Sequence, residues 1–136
     1  SKDLSLFDKG LVDMVGKVEL AEDIVICLCT TADHNLLVAY LEKKDNNYTC
    51  LADATFSNPL PESKYTYIDI TPISFSSIHK DKTFYLGAYT NPQDDSIMVN
   101  GKSVPIQKIN FSMGNKEYDL GFWATYLAKD TALQFQ

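Results

Sequence analysis

Two histidines, His34 and His79, three cysteines, Cys27, Cys29 and Cys50, and the adjacent acids Asp94-Asp95 are the residues with which this chain could do chemistry. Thiol catalysis needs a nucleophile, a base and an orienting group that converge in space. Cys50 with either histidine is the dyad these types allow. Both histidines fall in polar turns, "TADHN" and "SIHKDK", and no local signature surrounds Cys50. A small hydrolase with a thiol or carboxylate site is thus one alternative, carried by residue types alone.

Cys27 and Cys29 stand two apart in an apolar strand pattern. That places them on one face as small buried hydrophobes, too far apart for an easy mutual bridge. Cys50 bridges to one of them only if its strand lies opposite, and no histidine stands beside them at metal-ligand spacing. Asn91, Asp94 and Asp95 offer oxygens of the kind that Ca²⁺ takes, but they depart from the D-x-[DN]-x-[DN]-G loop. Asx-rich turns are explained by local backbone capping. The expectation is no cofactor, with Ca²⁺ at these three residues as the exception worth testing. The six glycines form no phosphate-binding loop.

The aromatic pattern is the stronger candidate. Tyr65 and Tyr67 share a face at strand spacing, as do Tyr85 and Tyr89, and the chain holds eight tyrosines in all. If their strands are neighbours, these four rings line one surface, away from Ile68 and Phe84. Tyrosine offers a flat apolar face and a hydroxyl at low entropic cost, which suits sugar rings or an extended peptide. Cross-strand pairing that merely stabilises a solvent-facing sheet uses the same residues.

At 136 residues, with 45% hydrophobic and 12% aromatic content, the chain is a single folded domain spanning 1–136. A net charge of −6, with twelve scattered lysines and no arginine, argues against nucleic acid. It also removes the best clamp for anionic ligands. The longest apolar run, Ile24 to Cys29, is strand-sized, so no membrane-spanning helix is expected. No signal peptide is visible, and the start at Ser1 without methionine reads as a trimmed or mature segment.

The elements that must position these residues are mostly strands. Apolar residues at 4, 7, 11, 14 and 15 predict a short amphipathic helix over about 4–15. From Lys17 the period becomes two. "NLLVAYLE" and "YTCLADATF" around "KKDNN" read as a hairpin, and "KYTYIDIT", "ISFSSI" and "TFYLGAYT" as further strands. "SIMVNGKSVPIQ" is a second hairpin, since an Asn-Gly pair meets the positive φ demanded by a type I′ turn. Its register sets Ile97 opposite Val104 and Met98 opposite Ser103, and Pro105 marks an edge or bulge. "KEYDLGFWATYLA" is apolar on both faces near Trp123, as a central strand would be. The predicted fold is mainly β: an antiparallel β-sandwich or partly open barrel with one short N-terminal helix, or alternatively an α+β domain.

The segment "LGAYTNPQDDSIMVNGKSVPIQKINF" with the later "LGFWATYL" resembles extracytoplasmic lipoproteins and small secreted proteins of low-GC Gram-positive bacteria. The matching residues are Gly87, Tyr89, Asn91-Pro92, Ile97, Val99-Asn100-Gly101-Lys102 and Trp123. The first hairpin is similar too, and the likeness covers about two thirds of the chain. It implies a sandwich-like, exported domain of unassigned role, secreted or lipid-anchored upstream, and it transfers no catalytic residue. The leading expectation is a non-enzymatic extracytoplasmic domain binding an envelope component such as a cell-wall glycan, or a partner protein. A structural or inhibitory protein–protein interaction domain is the other alternative.

Overall fold

The computed structural model describes residues 10–56, 59–71 and 79–136. Its strands are β1 (Leu11–Ala21), β2 (Ile24–Thr31), β3 (Leu36–Lys44), β4 (Asn47–Phe56), β5 (Ile68–Asp69), β6 (Lys82–Thr90), β7 (Ser96–Val99), β8 (Lys102–Pro105), β9 (Gln107–Met113) and β10 (Lys116–Ala128). They form a four-stranded meander β1-β2-β3-β4, a four-stranded sheet ordered β5-β6-β10-β9, and the separate hairpin β7-β8. Every ladder is antiparallel.

Alternation explains the layers. Ile24, Ile26 and Leu28 of β2 and Leu36, Val38 and Tyr40 of β3 meet Phe84, Leu86 and Ala88 of β6 and Leu120, Phe122 and Ala124 of β10 in one buried cluster. The two large sheets therefore pack face to face and do not close into a barrel. The opposite faces of β6 and β10 bear Tyr89 and Trp123. These pack with Ile97, Val99, Val104 and Ile106 of the hairpin region in a second cluster. As its apolar pattern requires, β10 is a central strand, flanked by β6 and β9.

Two turns follow from local chemistry. Asp45 and Asn46, both at positive φ (53° and 67°), join β3 to β4, and Asn100 and Gly101 (49° and 80°) join β7 to β8. Asn, Asp and Gly are the residues that enter this region at least cost. Ile97 pairs with Val104 and Met98 with Ser103, the register the alternation predicts.

The expected helix over 4–15 is corrected. Its portion from Leu11 onward is the strand β1, while residues 4–9 lie outside the described residues. The register of β1 against β2 shifts three times, between Leu11 and Asp13, Met14 and Gly16, and Glu19 and Ala21. Each extra residue resets the side-chain parity, so Val15 and Val18 both reach the core at a spacing of three. Bulges thus imitate helical periodicity. No helix occurs among the described residues, which removes the α+β alternative, and none is long and apolar enough to cross a membrane. "KYTYIDIT" is a strand only at Ile68–Asp69, because Thr66 N–H donates to the Ser63 carbonyl in a turn. The expected strand "ISFSSI" lies outside the described residues.

Within the main core, the Tyr40 hydroxyl donates to Glu42 Oε2 at 2.7 Å, and both side chains are buried. A hydrogen bond to a charged group is worth about 1.5–3 kcal/mol. Tyr40→Phe is accordingly expected to lower unfolding free energy by about 2 kcal/mol in a urea titration with an unchanged m-value.

Candidate functional site

The four tyrosines divide between a surface and the layer beneath it. Tyr65 and Tyr67 are 50% and 45% exposed, Tyr85 is half-buried, and Tyr89 is 4% exposed. Asp69 of β5 pairs with Tyr85 of β6, which brings Tyr67 edge-on to the Tyr85 ring at 5.6 Å between centroids. Tyr89 turns inward because Gly121, its direct partner on β10, leaves room for it. A Cβ at Gly121 would lie 2.6 Å from the Tyr89 ring. Burial raises the Tyr89 phenol above its ordinary range, and its hydroxyl has no hydrogen-bond partner among the described residues.

Trp123 forms the floor of the exposed group. It is fully buried opposite Gly87, and its Nε1–H donates to the Lys64 carbonyl at 2.9 Å. That bond ties the segment carrying Tyr65 and Tyr67 to the central strand. A fourth ring, Phe135, lies among them, 5.1 Å from Tyr65, 5.8 Å from Tyr67 and 6.0 Å from Trp123. Sequence reasoning missed Phe135. The available signal was the alternation in "ALQFQ", where Leu133 and Phe135 are half-buried and their neighbours exposed.

The rim is charged. Lys64 Nζ lies 5.3 Å from the Tyr65 ring centroid, close enough for a cation–π contact, and 2.8 Å from Asp94 Oδ2. The hydrogen bond to Asp94 raises the Lys64 ammonium further. Lys108 bonds Asp95 at 2.9 Å and lowers that carboxyl. The two aspartates therefore turn to separate lysines. Asn91, with positive φ, donates its backbone N–H to the Asp119 carbonyl. Among the described residues no group of three or more acids, histidines or cysteines is placed to hold a metal.

No family model, curated protein or solved structure matches this chain. What the site can do must be read from its own geometry.

The residues of nucleophilic chemistry lie apart from the aromatic face. Among the described residues no cysteine forms a disulfide, and Cys50 on β4 is separated from Cys27 and Cys29 on β2 by the intervening β3. The Cys50 thiol donates to the Ala52 carbonyl at 3.4 Å. Burial pushes Cys27 up to about 11 and Cys29 up to about 12, so both stay protonated at neutral pH. His79 Nε2 contacts both Asp23 oxygens at 3.2 Å, whereas the His34 ring neighbours Gly114. An open groove between β1, β8 and the end of β10 is walled by Val18, Leu20, Val104 and Leu127; the described residues lining it include neither His nor Cys.

Proposed function

We infer that this is a non-catalytic binding domain acting outside the cytoplasm, and that it engages an envelope component or a partner protein through Tyr65, Tyr67 and Tyr85. One observation carries the reading. Two half-exposed tyrosines are held against further rings, Tyr67 edge-on and Tyr65 tilted, over a tryptophan fixed by a hydrogen bond, with a lysine against one of them. Rings ordered in advance lose little entropy when a ligand arrives, and their faces suit sugar rings or an extended chain. The extracytoplasmic address rests on the likeness to exported Gram-positive domains, and a lipid anchor upstream accords with it.

The test is thermal unfolding against soluble cell-wall glycans and unstructured peptides, since a ligand of the folded state raises the midpoint by mass action. The paired substitution Tyr65→Ala/Tyr67→Ala is expected to abolish any such rise while leaving the midpoint of the free protein within a few degrees. Both rings are half-exposed and neither belongs to a buried cluster, and substitutions at such positions cost little. A ligand-induced rise that survives both substitutions would move the binding surface elsewhere.

A further inference from the structure

We propose that the aromatic face is a peptide groove now filled by the chain's own residues 131–136, which act as a displaceable strap. The partner is then an extended, uncharged segment with apolar side chains at alternate positions, the second of them aromatic. This rests on the binding-domain reading above and names its ligand class.

The strap is held in two ways, and both are the means by which proteins bind foreign strands. Backbone bonding comes first. Asn100 Nδ2 donates to the Ala132 carbonyl at 2.9 Å, and Asn100 Oδ1 accepts from Gln134 N–H at 2.8 Å. Asn100 N–H donates to the Gln134 carbonyl at 2.7 Å, and Gly101 N–H to the Gln136 carbonyl at 3.0 Å. One asparagine thus imitates a rung of a β-ladder with its side-chain amide. It reads only backbone groups, which every peptide possesses.

Side chains supply the selectivity. Leu133 and Phe135 point to the second cluster, and Phe135 enters the box of Tyr65, Tyr67 and Trp123. Ala132, Gln134 and Gln136 remain exposed, so this is the period-two footprint of a strand lying on a surface. The strap leaves β10 through a turn in which Thr131 N–H donates to the Ala128 carbonyl and Asp130 sits at φ 67°. Asp enters that region at little cost, so the chain turns out of β10 here without disturbing the strand. The Asn-Gly pair, read from the sequence as a hairpin corner, is therefore both corner and clamp.

Tethering gives the strap an effective concentration of about millimolar order, so an outside peptide must outcompete it. The probe is a fluorescein-labelled peptide of sequence TALQFQ, titrated by anisotropy into the intact chain and into the full-length variant Leu133→Ala/Phe135→Ala. At least tenfold tighter binding to the variant is expected. A control peptide with alanine in place of phenylalanine should bind at least tenfold more weakly than TALQFQ. Adding Asn100→Gly to the variant should weaken binding of TALQFQ, because glycine keeps the turn at positive φ and the two backbone donors but loses the amide clamp. In the intact chain, Asn100→Gly alone loosens the strap without touching the core, and is expected to speed amide exchange at Gln134, whose N–H loses its acceptor. Equal affinity for chain and variant, or no binding to a variant that still unfolds cooperatively, would overturn the strap. A glycan that raises the midpoint while TALQFQ binds neither form would also overturn it and leave the binding-domain reading standing.

Discussion

Gly87→Ala is expected to destabilise the domain by about 3 kcal/mol or more, the upper end for overpacking a well-filled site. A β-carbon there would lie 2.3 Å from Trp123 Nε1, 2.5 Å from its Cε2 and 2.9 Å from the Thr66 carbonyl oxygen. Neither neighbour can yield cheaply. The indole is fully buried, and moving it breaks the bond from Nε1–H to the Lys64 carbonyl and orphans a buried donor. Moving Thr66 displaces the backbone between Tyr65 and Tyr67. The substitution therefore acts on stability and on the aromatic face together.

Gly101→Ala supplies the contrast. Nothing lies within 4 Å of its would-be Cβ, but φ is +80°, so its cost is backbone strain of about 1–2 kcal/mol. Urea unfolding followed by the single tryptophan separates the two cases, because only Gly87→Ala should also change the native emission. In a Trp123→Leu background, with unfolding followed by far-UV circular dichroism instead, the alanine should cost much less, and the resulting coupling isolates the clash. If Gly87→Ala proved no costlier than Gly101→Ala, the close approach of indole to backbone would not be what holds this layer.

The same two glycines show what the sequence makes legible. Gly101 follows Asn100 between alternating residues, so its turn, the Ile97–Val104 register and the hairpin could be read locally. The β3–β4 hairpin, the central place of the Trp123 strand and the shared face of Tyr85 and Tyr89 were legible for the same reason. Gly87 gives no such signal, because what it accommodates comes from another strand and a distant loop. Tyr67 does meet Tyr85, while Tyr65 lies against Phe135, and both come from a segment anchored by Trp123 and not from a long strand. Tyr89 shares their spacing but is drawn inward by the absent side chain of Gly121. Asp94 looked like half of an acidic pair until Lys64, thirty residues earlier, claimed it. Three bulges in β1 defeated periodicity itself, since a shifted strand and a helix can place apolar residues at the same intervals. Local turn chemistry is encoded in neighbours, whereas close approach and charge pairing are encoded in residues that only the fold brings together.

Raising the pH should destabilise the protein through Cys27 and Cys29. Burial lifts these thiols from 9.0 to about 11 and about 12. For Cys27 the nearby Lys17 offsets part of that rise, and for Cys29 the neighbouring Cys27 and Asp13 add to it. Below pH 9 both thiols are protonated whether the chain is folded or not, and their contribution is fully present. Above pH 9 the unfolded chain releases protons that the folded chain retains, so unfolding becomes easier as pH rises toward 11–12. The slope is at most about 1.4 kcal/mol per pH unit for each thiol. Tyrosines and lysines titrate in the same range, so the informative quantity is a difference. Cys27→Ala/Cys29→Ala should be less stable than the parent at pH 8 through lost packing, and that gap should narrow or reverse by pH 10.5. A gap that stays constant would mean that the thiols ionise as freely inside as outside. Alkylation gives an independent reading. Iodoacetamide at pH 8 should modify Cys50, the half-buried thiol, well before the other two, and all three after unfolding. Rapid native modification of Cys27 or Cys29 would make them accessible thiolates and reopen the nucleophilic chemistry that their burial now opposes.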